Sequence, residues 1–257
     1  DIAVLDVGQG DCAVIMCGGK TYLIDGGSIS QKEVGKYVIS KCLKYYGRSQ
    51  VDAAFITHSD ADHTNGILEL AANQEKWNIR IEKIIMPEIQ KTDDGYERLY
   101  RSFQSCNMKI NRMKRGDMLS HGPLCIRCVH PTPDYEWESE NDYSLTLDIT
   151  YQDLKILTTG DLEQEGETAV GDLQSAFDLL KVGHHGSKTS TSQEFLAMVS
   201  PRYAVLSAGK KNRYGHPSPE TVKKLTNAGV QIRNTMECGA VFAEWRAGKR
   251  IYAFREN

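Results

Sequence analysis

Between Thr57 and His63 the chain reads Thr57-His58-Ser59-Asp60-Ala61-Asp62-His63, which puts four potential metal ligands within six residues. Imidazole nitrogens and carboxylate oxygens at this density suit a divalent cation. The apolar run Val51-Asp52-Ala53-Ala54-Phe55-Ile56 comes directly before and predicts a buried strand. A strand that ends in a turn can throw several side chains toward one point. Asp62 and His63 are adjacent, so they share a target only if the chain bends. A turn feeding a helix lets His58 and Asp60 serve one ion while Asp62 and His63 serve a second. A solvated turn has little use for two His and two Asp in this pattern, and metal-dependent hydrolysis is the chemistry it implies.

Other strand ends carry the same kind of residue. Leu157-Thr158-Thr159-Gly160-Asp161 closes a predicted strand; the Gly permits a tight turn, and Asp161 can bridge two cations or cap the helix expected from Glu163. Val182-Gly183-His184-His185-Gly186-Ser187 follows another strand. Either His could face a metal, with His184 the preferred one. Arg213-Tyr214-Gly215-His216-Pro217 precedes a helix, with Lys210 and Lys211 just before. Helix N-termini and clustered cations both favour phosphate, and His216 could give a proton to a leaving oxygen. Asp25 is expected to support the site rather than ligate. Asp6 and Asp11 bracket Val7-Gly8-Gln9-Gly10, a tight loop that would line the cleft. His121 and His130 read as turn residues.

The elements that must position these groups follow from periodicity. Ile2–Val7, Cys12–Met16 and Thr21–Ile24 read as antiparallel strands divided by glycine turns. Residues 31–46 carry a helical stripe of Val34, Val38, Cys42 and Tyr45. A helix at 65–73, a strand at 81–86, a helix at 96–106 and strands around 108, 118 and 124–129 come next, then a polar loop over 131–142. A hairpin turning at Gln152-Asp153 leads into strands at 177–182 and 203–207, with helices at 163–173, 192–199 and 219–228. Two blocks of strands, each followed by helices, predict an α/β chain of two stacked mixed sheets with helices outside, in one domain over 1–257.

Composition narrows the classes. Hydrophobic residues make up 40% and charged residues 25%, which is ordinary for a water-soluble globular fold. No apolar run nears the roughly 20 residues that cross a bilayer. A net charge of -3 offers no global attraction to nucleic acid, so contacts would rest on local cations such as Lys109, Arg112, Lys114 and Arg115. Interleaved aromatic and basic residues of the kind that stack single strands are not evident. Seven scattered Cys do not form a disulfide framework, and Cys125 and Cys128 would point to opposite faces of a strand. The chain opens at Asp1 without Met and reads as a fragment.

Taken in order, these motifs resemble the metallo-β-lactamase fold superfamily, and most closely the metallo-β-lactamase-like domain of the ComEC family of DNA-uptake competence proteins. Leu5–Asp11, Tyr22–Asp25, Thr57–His63, Thr159–Asp161, Lys181–Lys188 and Arg213–Pro217 all look like that family's motifs, over residues 1 to about 235. The resemblance implies an αββα sandwich and two divalent ions, manganese favoured and zinc possible, with no small organic cofactor. It implies a ligand set of His58, Asp60, Asp62, His63, Asp161, His184 and His185. Two departures stand out: Asp60 replaces the usual second His, and the third-motif His has no counterpart, so that Asn141 or Asp142 would stand in.

The resemblance further implies a nuclease that degrades the non-transported DNA strand while the other enters through a membrane channel domain of the same full-length protein. Such a domain would face outward from the cytoplasmic membrane. Asp62 would orient the attacking water, and Lys188 or His216 would neutralise or protonate the leaving group. Gln9, Asp11, Asn141, Ser187, Lys188 and Arg213 would contact substrate, expected to be single-stranded DNA. Two other readings keep the fold: a hydrolase of another ester, like the phosphorylcholine esterases, and a degenerate DNA-guiding module.

Overall fold

The computed structural model describes residues 1–255 apart from 91, 133–135, 171–172, 174–175 and 247. The first half of the chain forms β1 (Ile2–Val4), β2 (Ala13–Cys17), β3 (Lys20–Ile24), β4 (Gln50–Val51), β5 (Ala53–Phe55), β6 (Arg80–Ile81), β7 (Ile84–Pro87) and β8 (Ile110–Met113). The second half forms β9 (Met118–His121), β10 (Leu124–His130), β11 (Thr146–Tyr151), β12 (Leu154–Thr158), β13 (Leu179–Lys181), β14 (Tyr203–Leu206) and β15 (Gln231–Asn234). A last hairpin, β16 (Val241–Trp245) and β17 (Lys249–Ala253), returns to pair with β1.

Two sheets result, in the orders β17-β16-β1-β2-β3-β5-β7-β8 and β15-β14-β13-β12-β11-β10-β9, with β4 and β6 as a separate small ladder. In each sheet one half is antiparallel and the other parallel: β3, β5, β7 and β8 run together, as do β12 to β15. Ligand-bearing loops in open parallel sheets leave from the carboxyl ends of strands. Asp25, His58, Asp161 and the His184-His185 pair each follow the carboxyl end of one of these parallel strands.

Layering comes from strands that bury both faces. Ile2, Val4, Ile15, Ile24 and Phe55 pack across to Ile126, Ile149, Ile156 and Leu179 between the sheets. The alternate residues, such as Ala3, Val14 and Leu23, pack outward on the helices of the first half. These are α1 (Ser40–Tyr45), α2 (Ala61–Ala72), α3 (Gln74–Trp77) and α4 (Asp94–Ser105). Leu157, Leu180 and Val182 do the same under α5 (Gln164–Ala169), α6 (Gln193–Val199) and α7 (Pro219–Asn227), and α8 (Thr235–Cys238) follows β15. Each fully buried aliphatic side chain contributes about 1.5–3 kcal/mol, whereas a surface pair such as Lys20–Asp52, 2.7 Å apart, is screened by water. Packing between layers therefore decides the fold.

Three expectations change. The stripe over 31–46 holds at Val34, which is buried, and at Val38 and Cys42, which pack partly buried against the core, but not at Tyr45. Residues Gly35–Ile39 form a π-helical turn ahead of α1, with Ser40 N–H bonded to Gly35 O, and the wider turn breaks the 3.6-residue period. Val34, Ile39 and Leu43 face the core, while Tyr45 turns to solvent at 83% exposure. The second change is after residue 228, where the sequence pattern predicts no element: β15, α8 and the β16–β17 hairpin lie there. Third, α2 begins at Ala61 rather than 65, directly behind the metal-ligand motif. Positions 171–172 of the predicted helix and 133–135 of the predicted loop fall outside the described residues. All seven cysteines are free thiols, and burial pushes Cys128 up to about 12 and Cys42 to about 11.

Candidate metal centre

The turn after β5 is shaped by backbone contact. Asp11 N–H donates to Asp62 O at 3.0 Å and Gly26 N–H to His63 O at 2.8 Å. Both neighbouring loops approach so closely that a Cβ at Gly10 would lie 2.5 Å from Asp62 O, and one at Gly27 2.4 Å from the Asp62 carbonyl carbon. Gly10 also holds φ +149, which L side chains rarely adopt. These two glycines let the Gln9–Asp11 loop and the β3 exit clamp the first turn of α2. Asp60 precedes that turn in extended conformation and uses its side chain for no helix cap, so the carboxylate stays available.

Around Asp161 the side chains fall into two groups. His63 Nε2 lies 3.2 Å from Asp161 Oδ1, and His185 Nε2 lies 3.4 Å from both Asp161 Oδ2 and Asp62 Oδ2. On the other side, His58 Nε2 is 3.9 Å and His184 Nε2 3.8 Å from Asp161 Oδ2, and Asp60 Oδ2 is 3.6 Å from His58 Nε2. Asp161 is common to both. Ligand atoms about 2.0–2.2 Å from one cation sit roughly 3–3.5 Å from each other, which matches the closer group.

Hydrogen bonding on the far side of each ring decides what these nitrogens can do. His63 Nδ1 meets Asp25 Oδ2 at 2.8 Å, and His185 Nδ1 meets Ser207 O at 3.0 Å. Thr57 Oγ1 donates to Asp25 Oδ2 and therefore accepts from His58 Nδ1 at 3.0 Å; His184 Nδ1 meets Glu163 Oε1 at 3.2 Å. Every Nδ1 thus faces an acceptor and carries a proton there, which leaves the four Nε2 lone pairs aimed inward. Those of His63 and His185 face each other at 3.3 Å, and His58 Nε2 and Asp161 Oδ1 are buried without hydrogen-bond partners. Opposed lone pairs among carboxylates are the donor set of a divalent cation, so the residues fit one.

Carboxylates and imidazoles here also stabilise one another's charged forms. Burial alone would raise Asp161, but His185 and His63 outweigh it and hold the carboxyl well below its usual range. Burial would lower His63 and His185, and Asp161, helped by Asp25 and Asp11 respectively, raises both well above the ordinary imidazole value. Behind His185 lies a buried ion pair, Lys181 Nζ to Asp11 Oδ2 at 2.6 Å, with Asp11 Oδ1 3.4 Å from His185 Nδ1. Burial pushes Asp11 up, yet Lys181 and His185 hold it at about 2.

The sequence-predicted residues divide clearly. His58, Asp60, Asp62, His63, Asp161, His184 and His185 come together. His185 sits with Asp11, His63 and Asp161 in a buried group whose ligand atoms lie within 4.8 Å of one another, whereas His184, the one preferred from the sequence, lies outward, 24% exposed on Glu163. Both rings can reach inward because both residues adopt positive φ, 48° and 53°. Asp142 does not stand in for the third-motif His, since its Oδ1 accepts from Glu163 N and Gly166 N and caps α5. Asn141 donates its backbone N–H to Ser139 Oγ, and His184 Nε2 lies 3.8 Å from Asp161 Oδ2 on the outer side.

Asp11 and Gln9 are not open to substrate: both are buried, and Gln9 Oε1 accepts from Gly209 N. Ser187 is buried too, its Oγ turned to Thr189 Oγ1 at 2.9 Å. Lys188 and Arg213 are exposed, with Arg213 over the Tyr214 ring. His216 stacks between His185 and Tyr214, and burial and the imidazoles beside it pull it down to about 4, so it is not a resting acid. Sequence reading missed Lys181, Glu163 and Ser207, because their roles depend on neighbours distant in the chain.

His130 is also reassigned. It ends β10 fully buried, with Nε2 2.6 Å from Asp142 O, packed on Trp137; burial lowers it to about 4. The unfolded chain, with an ordinary value of 6.5, binds the proton more readily. The contribution to stability is therefore full above about pH 6.5 and falls away toward pH 4, by roughly 3 kcal/mol. Urea unfolding at pH 7.5 and 5 should show a larger drop for the wild type than for His130→Gln; parallel losses would refute this assignment.

Sheets, helices and site together define a class. Residues 5–134 and 140–210 match the metallo-beta-lactamase superfamily, and the chain belongs to it. It is 30% identical to ComE operon protein 3 of Bacillus subtilis, over 99% of this chain and 34% of that protein. It is 27% identical to competence protein ComA of Neisseria gonorrhoeae, again over 99% of this chain and 34% of the relative. The chain thus spans about a third of these relatives. In structure it is similar to the metallo-beta-lactamase fold protein YhfI of Bacillus subtilis, with TM-score 0.56, 15% identity, and coverage of 91% and 96% of the two chains.

Proposed function

We propose that this chain is a metal-dependent phosphodiesterase that degrades the non-transported strand of DNA during DNA uptake, with manganese its favoured ion. One observation carries the metal chemistry: four imidazoles, each anchored through Nδ1, aim Nε2 at the shared carboxylate Asp161. The DNA substrate is supported by the names of the relatives, ComE operon protein 3 and competence protein ComA. Three aspartates among the ligands shift the set toward oxygen, which suits manganese.

Divalent cations held there would supply Lewis-acid polarisation of a phosphoryl group and a nucleophile at neutral pH. Asp62, its side chain 15% exposed at the rim, would orient the attacking water. Asp25, through His63 and Thr57, fixes one ring from each group. Neutral His216 would hydrogen-bond the leaving oxygen, and exposed Lys188 would neutralise it. Among the described residues no helix is long and apolar enough to cross a membrane. We place the activity at the outer face of the cytoplasmic membrane, beside a channel portion of a longer protein.

Comparing kcat/KM on single-stranded DNA, bis(p-nitrophenyl) phosphate and p-nitrophenyl phosphorylcholine tests the substrate. DNA should exceed the phosphorylcholine ester by about a hundredfold or more, some 2.7 kcal/mol of transition-state binding. A preference for the phosphorylcholine ester would assign the site to another ester.

A further inference from the structure

The outer face of the first helix carries a surface that the metal centre does not use. From Val34 to Val51 the chain holds Lys36, Lys41, Lys44 and Arg48 and no carboxylate, within a protein of net charge -3. Lys32, Lys41 and Lys44 are exposed. Among the described residues Lys41 and Lys44 have no carboxylate partner, whereas Lys36 pairs with Glu33 at 3.0 Å. Three tyrosines lie among these cations: Tyr37 is 49%, Tyr45 83% and Tyr46 38% exposed. Lys36 and Lys41 stand 4.5 and 5.3 Å from the Tyr37 ring centre. The π-helical turn creates this face, because its wider winding takes Tyr45 off the apolar stripe and into water.

The surface also has a direction. Gln9 N–H donates to Ser30 Oγ at 2.8 Å, which ties the segment before the helix to the loop beside the metal centre. Gly35 packs on Gly66 and Glu69 of α2, six and nine residues beyond Asp60, about 9–14 Å by helical rise. The stripe therefore starts near the ligand-bearing edge and leads away from it.

We infer that Tyr37, Lys41, Lys44 and Tyr45 form a track for single-stranded nucleic acid, in which the lysines follow phosphates and the rings stack bases. Every base presents a π-face, so such a track is indifferent to sequence. A duplex keeps its bases inside and would use only the lysines. Insertion into lipid needs an apolar face, and here Val34, Ile39 and Leu43 turn into the core. The inference rests on the DNA reading of the metal centre and extends it to substrate delivery.

Fluorescence anisotropy in chelator, where nothing is cleaved, tests the track on the whole chain. The probes are a labelled single-stranded 20-mer, an abasic strand of equal length, a duplex, and phosphatidylserine vesicles. Tyr37→Ala with Tyr45→Ala should weaken binding of the base-bearing strand about tenfold or more and hardly change the abasic one. Lys41→Gln with Lys44→Gln should weaken both and reduce the log–log salt slope by about 1.4. Unchanged affinity in both variants, no strand binding by the wild type, or a preference for duplex or vesicles would overturn the track. Circular dichroism confirms that each variant is folded. Hydrolysis is read separately in manganese: its absence in a wild type that binds strands defeats the nuclease reading alone, and hydrolysis with unaltered binding in the variants defeats the track alone.

Discussion

Replacing Asp161 with Ala should lower metal-dependent hydrolysis by about a thousandfold or more and remove metal from both ligand groups. Loss of a single preorganised electrostatic partner typically costs 10²–10³ in rate, and Asp161 is a partner twice over. Its oxygens lie 3.2 Å from His63 Nε2 and 3.4 Å from His185 Nε2 on one side, and within 3.9 Å of His58 and His184 on the other. Removing His184 should be milder, releasing about one metal per chain, because Asp62, His63 and His185 remain around the closer group. Elemental analysis after gel filtration, beside initial rates, separates these outcomes. An Asp161→Ala protein that keeps both metals would show that the carboxylate is not shared.

The second large effect is on stability. Lys181→Met should destabilise the fold by about 3–5 kcal/mol, because it takes from the buried Asp11 charge its ammonium partner. Lys181 and Asp11 are each about 4% exposed and 2.6 Å apart, with no water-exposed rim to screen them. For a chain of this size the loss corresponds to roughly 10 °C in Tm. Replacing both, Lys181→Met with Asp11→Leu, should recover most of it, since a buried pair exchanged for apolar groups is often neutral. Thermal unfolding of the two variants checks the argument, and equal Tm values for wild type and Lys181→Met would refute it. Asp11 also touches His185, so the double variant should bind metal less well even where it folds normally.

Much of the centre is legible in the sequence because its candidate ligands are dense in the chain. His58 to His63 fall in one turn, and Asp161 and the His184-His185 pair each follow a strand whose apolar run is plain. What could not be read depends on contacts across the fold. Two adjacent histidines between glycines give no sign of which ring turns inward; Ser207 O and Glu163 Oε1 decide that from elsewhere. Lys181 looks like the exposed end of a strand until Asp11 is placed against it from the other sheet. Asp142 reads as free to ligate because the helix it caps begins some twenty residues later in the chain.

The helices show the same limit. An amphipathic stripe through Val34, Val38, Cys42 and Tyr45 assumes 3.6 residues per turn, and one π-helical turn is enough to rotate Tyr45 out of it. The aromatic and basic residues that look unrelated in a line of text then share one surface. Likewise Val241–Trp245 and Lys249–Ala253 become a hairpin that closes the first sheet against β1, a pairing across more than 230 residues that local pattern does not announce.

Degradation of linear single- and double-stranded DNA by the purified chain, in manganese, zinc, magnesium or chelator, tests the central claim most directly. Loss of the strand in manganese, stopped by chelator and absent in Asp161→Ala, is the predicted result. DNA left intact under every metal by a folded protein would contradict it.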